Sequence, residues 1–294
     1  MTKPLISLLL PTRGRSTLVE RLFKSIVETT SQLERVEVIL YIDEDDTGSH
    51  YLDSEDVSVV RIIGPRMSMG AYNSACLARA QSNIIILIND DMVIQTPGWD
   101  RKIIEMDAEF TDKIYLAYSN DLNKGGSLCV FPILSRRTCE LLVEPYPVAY
   151  QGAFIDIHLF DIFKRLQHAG FDRIRYLDDV VFEHLHYRMG KAVYDETYKE
   201  RGRFEDDRTF ISMVDDRSTG AKRLLSELLG EVLPTFKKSE CYEYSPYGIF
   251  GAASYFSRKF IFDKELPLRW RGFLWYWFIG RYLAAHGYLW PFVR

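Results

Sequence analysis

Three clusters of polar side chains in this 294-residue chain each close an apolar run, and their residue types suit the binding of a phosphorylated ligand. Asn89-Asp90-Asp91 follows five aliphatic residues, Ile84–Ile88. Two carboxylates and an amide at such a point can hold a hard divalent cation and, through it, a phosphate. Pro11-Thr12-Arg13-Gly14-Arg15 follows Leu5–Leu10 and offers guanidinium groups. Asp43-Glu44-Asp45-Asp46 follows Val36–Ile42 and offers carboxylates. Asn and Asp also favour turns, so each cluster alone could be an ordinary bend after a strand, and for Asn89-Asp90-Asp91 alone the turn is the better reading.

Two further sets of residues could do chemistry. Asp156 precedes an apolar stripe, Ile155, Leu159, Ile162, Phe163 and Leu166, which predicts a helix ending before Gly170. A first-turn carboxylate is favoured in its charged form, which keeps it available as a base, although the same position suits a simple helix cap. Asp161 is the alternative base, deeper in the helix beside Lys164 and Arg165, on what reads as a solvated face. Val180–Tyr187 reads as a strand that puts Val180, Phe182, His184 and His186 on one face. Two imidazoles there suit a metal site. They lie roughly 7 Å apart along the strand, so one ion takes both only if the strand bends. His184 is the preferred ligand, and His186 the second choice or a phosphate contact.

The elements that must carry these residues alternate. A helix with Leu18, Leu22 and Ile26 on one face follows Ser16, a candidate N-cap; a strand at Val57–Ile63 precedes a helix at Gly70–Ser82. Strands alternating with helices predict an α/β fold, a mainly parallel twisted sheet flanked by helices. The apolar run Ile84–Ile88, suited to burial on both faces, would be a central strand. In such a sheet the three clusters meet at one carboxyl edge, where ligands collect. Neither GxGxxG nor GxxxxGK[ST] occurs, so phosphate would be held by a metal and arginines instead of a glycine-rich cradle.

The order strand–PTRGR, strand–YIDEDD, helix with Asn73, then LINDDM resembles the family 2 type of GT-A glycosyltransferase over roughly residues 1–215. The resemblance implies an inverting transfer of sugar from a nucleotide-diphospho-sugar to an acceptor hydroxyl on a glycan or glycolipid. It implies that Pro11, Thr12 and Arg15 line the nucleotide and that Asp43 meets the base. The triplet stands where the family has an Asp-x-Asp motif. Asp91 is then the direct ligand of Mn²⁺ or Mg²⁺, Asp90 the middle residue, and Asn89 replaces the first Asp, free to bond the ribose or a coordinated water. A late histidine, here His184 or His186, is implied as a further ligand. SLCVFPILS, Ser127–Ser135, looks like the strand under the acceptor site, and Asp156 like the family's base, although Ile155 replaces the usual preceding Glu. Acceptor specificity would fall to loops such as Tyr146–Gly152. The alternatives are a non-catalytic carbohydrate-binding protein and a sugar-phosphate nucleotidyltransferase, which would be expected to carry a Gly-rich basic loop after the first strand.

Composition fits this class. Hydrophobic residues make up 47% and charged residues 27%, as in a folded protein, and the four cysteines lack metal-ligand spacing or disulfide density, which predicts a cytoplasmic compartment. The N-terminal run reads as a first strand, not a signal peptide. Charge is divided: 25 Lys+Arg against 35 Asp+Glu up to residue 216, but 12 against 6 from Arg217 onward. The expected organisation is a catalytic domain over 1–216 and a helical extension over 217–294. A helix is predicted over Ala221–Val232, and 254–294 is rich in aromatic and basic residues. Arg281 interrupts the longest apolar run, so a membrane-interfacial contact is expected in place of a span, with packing onto the protein or a homodimer contact as the competing outcome. No nucleic-acid partner is expected.

Overall fold

The computed structural model describes residues 4–185, 190, 202, 204–236, 238 and 246–289. His186, together with Arg188, Lys191 and Arg203, lies outside the described residues. The chain forms two compact units, one of residues 1–160 and 173–201, the other of 161–172 and 202–294.

The first unit is built on eight strands: β1 (Ile6–Thr12), β2 (Val36–Asp43), β3 (Ser58–Gly64), β4 (Ile84–Leu87), β5 (Met92–Ile94), β6 (Leu116–Asn120), β7 (Pro132–Ser135) and β8 (Ile174–His184). Their spatial order is β3-β2-β1-β4-β7-β6-β8-β5. Helices α1 (Ser16–Thr29), α2 (Met69–Arg79), α3 (Trp99–Glu109), α4 (Arg136–Leu142) and α5 (Ile155–His168) complete the pattern. As its sequence suggests, β4 is buried on both faces.

The expectation of a mainly parallel sheet needs correction. Strands β3-β2-β1-β4 are parallel, but β7 runs antiparallel to both β4 and β6, and β5 antiparallel to β8. A parallel return needs a crossover, usually a helix. The segment 121–131 between β6 and β7 holds no α-helix, so the chain turns back on itself. The strand expected over Ser127–Ser135 is also shorter, because 125–127 is a 3₁₀ turn and Phe131 has φ +55°.

Helix α1 begins at Ser16 itself, and Arg15 takes the N-cap position without a side-chain cap, its guanidinium being engaged elsewhere. Helix α2 is capped by Ser68, whose Oγ accepts the Ala71 N–H at 3.2 Å. Its start receives the loop 146–151: Gly70 N donates to Tyr150 O, Met69 N to Gln151 O, Ser68 Oγ to Val148 O and Ser74 Oγ to Tyr146 O. The loop expected to select the acceptor is thus anchored to α2 over much of its length. Gly70 is required by the closeness of that approach, since a Cβ there would lie 2.0 Å from the Pro147 carbonyl oxygen. Gly70→Ala should therefore lower stability by about 1–3 kcal/mol, the usual cost of overpacking, read as a fall in midpoint during denaturant unfolding.

The second unit holds the later turns of α5 with α6 (Asp206–Ser212), α7 (Val214–Leu229), α8 (Gly248–Phe256), a π-helical turn (Ser257–Ile261) and α9 (Leu268–Ala285). The helix expected over Ala221–Val232 begins earlier, at Val214, and stops because Gly230 takes the left-handed conformation. Helix α9 buries Trp270, Leu274, Phe278 and Tyr282, one turn apart on one face. Phe210, Phe256 and Phe260 close on Phe278 at ring-centroid distances of 5.4, 6.0 and 5.0 Å. Arg281, costly in hydrocarbon, is instead paired with Asp207 at 2.6 Å. Among the described residues no helix is long and apolar enough to cross a membrane.

Asp161 belongs to this unit and not to a solvated face. It is 0% exposed and accepts from Arg165 Nε at 3.1 Å, Arg217 Nε at 2.8 Å and Trp270 Nε1 at 2.8 Å. Burial pushes its carboxyl up, but Arg165 and Arg217 overcome this and hold it below its ordinary value. Arg165 continues the network to Asp263 at 2.6 Å and Glu265 at 3.0 Å. A carboxylate so enclosed has no face for a substrate hydroxyl, so its role as alternative base is withdrawn.

Candidate active site

The three strand-end clusters are joined through the loop after β1, whose residues face alternate partners. Thr12 Oγ1 and Arg15 Nη1 donate to the two oxygens of Asp90, at 2.8 and 3.0 Å. Arg13 Nη1 donates to Asp43 at 2.8 Å and also reaches Asp45, while Gly14 N donates to Asp46 Oδ2 at 2.7 Å. Gly14 sits at φ +64°, a conformation that a side chain would strain. Pairing of β1 with both β2 and β4 sets this arrangement, because it lines up the ends of the three strands.

Within the triplet the residues separate. Asn89 is exposed, while Asp90 and Asp91 are buried. Burial pushes the Asp90 carboxyl from 3.8 up to about 6; Arg15 and Thr12 oppose this and the neighbouring Asp91 adds to it. Asp90 therefore anchors the β1 loop. Asp43 is fully buried and accepts from Tyr72 Oη on α2 as well as from Arg13. The Tyr72 ring packs on Tyr41 at 4.8 Å. Pro11 is buried at the end of β1, and Asn73 is buried on α2 one residue beyond Tyr72.

Asp91 is brought to His184 by strand pairing. Strand β5 starts immediately after Asp91 and runs antiparallel to β8 with Met92 opposite His184. Leu185 N donates to the Asp91 carbonyl at 2.8 Å. The side chains meet: Asp91 Oδ1 lies 3.2 Å from His184 Nε2. The His184 ring also packs against Phe131, edge-on at 5.3 Å, and its backbone N–H is held by the Asp121 carbonyl at 3.2 Å.

Two ligand atoms each about 2.1 Å from a common divalent ion, at right angles, are about 3.0 Å apart. The Asp91–His184 separation fits that spacing, and a carboxylate with an imidazole is a donor set for such an ion. Among the described residues no group of three or more His, Cys, Asp or Glu converges.

Asp156 opens α5 and is half-buried, with Oδ1 accepting the Ile157 N–H at 2.8 Å. Phe154, just before the helix, has φ +68°, a strained value for a side-chain-bearing residue and of the kind that gathers at functional sites. Asp156 neighbours Cys129: burial pushes that thiol well up and the Asp156 charge pushes it further. Residues 129–131 therefore feel the Asp156 charge at one end and pack on His184 at the other.

Tyr72, Phe131 and Asp121 were not expected from the sequence. Asp121 could have been, since Tyr115–Tyr118 running into Ser119-Asn120-Asp121 repeats the form of the run into Asn89-Asp90-Asp91. Its Oδ1 accepts the N–H groups of Asn123, Lys124 and Gly125 and so shapes the turn beside His184.

No protein-family model and no curated protein sequence matches this chain. Among solved structures, residues 1–349 of S. aureus TarS align with a TM-score of 0.52 at 11% identity, covering 87% of this chain and 81% of that one. A longer TarS structure aligns with a TM-score of 0.50 at 12% identity, over 90% of this chain. This chain covers only 50% of that one. At such identities the likeness is one of fold, and the fold is the GT-A type that the strand-end motifs imply, with a sheet only half parallel.

Proposed function

We propose that this protein is an inverting glycosyltransferase that moves a sugar from a nucleotide-diphospho-sugar to an acceptor hydroxyl, in glycan, polysaccharide or glycolipid assembly. The observation that carries this is the Asp91–His184 contact at the same sheet edge as the Asp90-anchored loop Thr12–Arg15. Asp91 and His184 would hold Mn²⁺ or Mg²⁺. When bound, such an ion supplies Lewis-acid stabilisation to the departing diphosphate. Asp43 and Tyr72 would face the base, and Pro11, Thr12, Arg15 and Asn73 would line the nucleotide. Asn89, exposed at the edge, is free to meet the ribose.

Asp156 then accepts the proton of the acceptor hydroxyl as that oxygen attacks the anomeric carbon. The bond to the diphosphate oxygen breaks on the opposite side, so a single displacement inverts the centre. The helix N-terminus favours the charged carboxylate that this step requires. Three cysteines, Cys76, Cys129 and Cys139, are buried and free, which supports a cytoplasmic location.

The test is release of nucleoside diphosphate from a panel of nucleotide sugars, with and without Mn²⁺. Release should require the metal, stop with EDTA, return with Mn²⁺, and fall to background in Asp91→Ala. No release from any donor, or metal-independent release unchanged in Asp91→Ala, would overturn the assignment.

A further inference from the structure

We infer that α8 and the π turn after it form a docking face for a membrane surface rich in anionic lipid. Helix α8, Gly248–Phe256, contains no charged residue. Its inward face is ordinary core: Ala252, Phe256 and Phe260, at four-residue steps, are buried. Its outward face is apolar as well. Tyr247 is 98% and Phe250 91% exposed, and Gly251 has open space around it. Apart from the exposed Ser254 the helix is apolar all round, as suits a core or a lipid surface, and this one has a core on one side only.

The charges nearby select the occupant. Phe250, Ser254 and Arg258 follow one another a turn apart, so a cation ends the apolar stripe; Arg258 is exposed, Lys259 half-exposed and Phe262 exposed. The acids that follow them in the chain, Asp263 and Glu265, are held by Arg165, and Glu265 also by Lys222. Among the described residues neither cation forms an ion pair, and cations at the end of an aromatic stripe match the headgroup level of an anionic bilayer, where Tyr, Phe and the cations each find a partner. The broad aromatic tail expected over 254–294 is narrowed by this assignment. Trp270, Leu274, Phe278 and Tyr282 are consumed by the unit's own core, and the free surface starts earlier, at Tyr247. This inference stands apart from the proposed sugar transfer.

The experiment is flotation of the full chain with vesicles of phosphatidylcholine alone or mixed with phosphatidylglycerol. The wild type should float with the mixed vesicles, fail to float with the neutral ones, and be released by salt. Tyr247→Ser with Phe250→Ser should abolish flotation. Arg258→Gln with Lys259→Gln should weaken binding by about 25-fold, about fivefold for each cation. These side chains point to solvent, so circular dichroism and Tm should match the wild type and separate lost docking from lost folding. Absence of flotation, or flotation unchanged in both variants, overturns the inference. So does self-association without vesicles that both variants abolish, because a second copy then covers the face.

Discussion

Replacing Asp156 by Asn should lower kcat by about 10²–10⁴-fold, the usual contribution of a positioned general base. The substitution keeps the shape and the hydrogen bond from the Ile157 N–H but removes the proton acceptor. Donor binding should survive it, because the residues proposed to contact the nucleotide lie on the loops after β1, β2 and β4 and on α2, and not on α5. The expected signature is thus a fall in kcat with KM for the nucleotide sugar nearly unchanged. Steady-state kinetics across a donor series would check it. A matching rise in KM, or an unaltered kcat, would remove Asp156 from the chemistry and leave it as a helix-capping residue.

Asp161→Ala should give the opposite result. Five positions further along the same helix, it concerns folding and not catalysis. Its loss leaves Arg217 buried, with the Phe210 carbonyl and the face of the Phe210 ring at 3.8 Å but no direct carboxylate. Breaking one partner out of a buried ion network costs about 3–5 kcal/mol. In a unit of this size that is a fall in Tm of roughly 15–20 °C, measurable by calorimetry. A shift within error would mean that water enters freely around Arg217. The two variants thus separate a side chain that acts on substrate from one that acts on the fold.

How much of this was legible in the sequence depended on how local the signal was. Three of the first four strands, β1, β2 and β4, declare themselves because each is an apolar run ending in a polar cluster, and pairing of β1 with β2 and β4 lines those clusters up. Asp91 and His184, 93 positions apart in number, were each singled out by residue type together with the family resemblance, but nothing in either segment names the other. Their meeting depends on β5, three residues that no periodicity marks, and on its register with β8. The antiparallel half of the sheet was missed for a related reason. It is set by short connections and by left-handed residues at Leu122 and Phe131, which carry no glycine to signal them. Asp161 was misplaced because its partners Arg217 and Trp270 lie far along the chain, and beside Lys164 and Arg165 alone it has the look of a solvated face. The clipping of Arg13 and Arg15 to different acidic clusters was equally unreadable, since identical side chains two positions apart give no hint of separate partners.

The central claim is that Asp91 and His184 together hold a divalent ion that only a nucleoside diphosphate completes. Electron paramagnetic resonance of Mn²⁺ titrated with the full chain, alone and with a nucleoside diphosphate, tests it most directly. Binding should tighten markedly when the nucleotide is added and be lost in Asp91→Ala with His184→Ala, while Asp161→Asn, where folded, retains it. Mn²⁺ binding that is equal in the wild type and the Asp91/His184 double variant, and indifferent to nucleotide, would contradict the account.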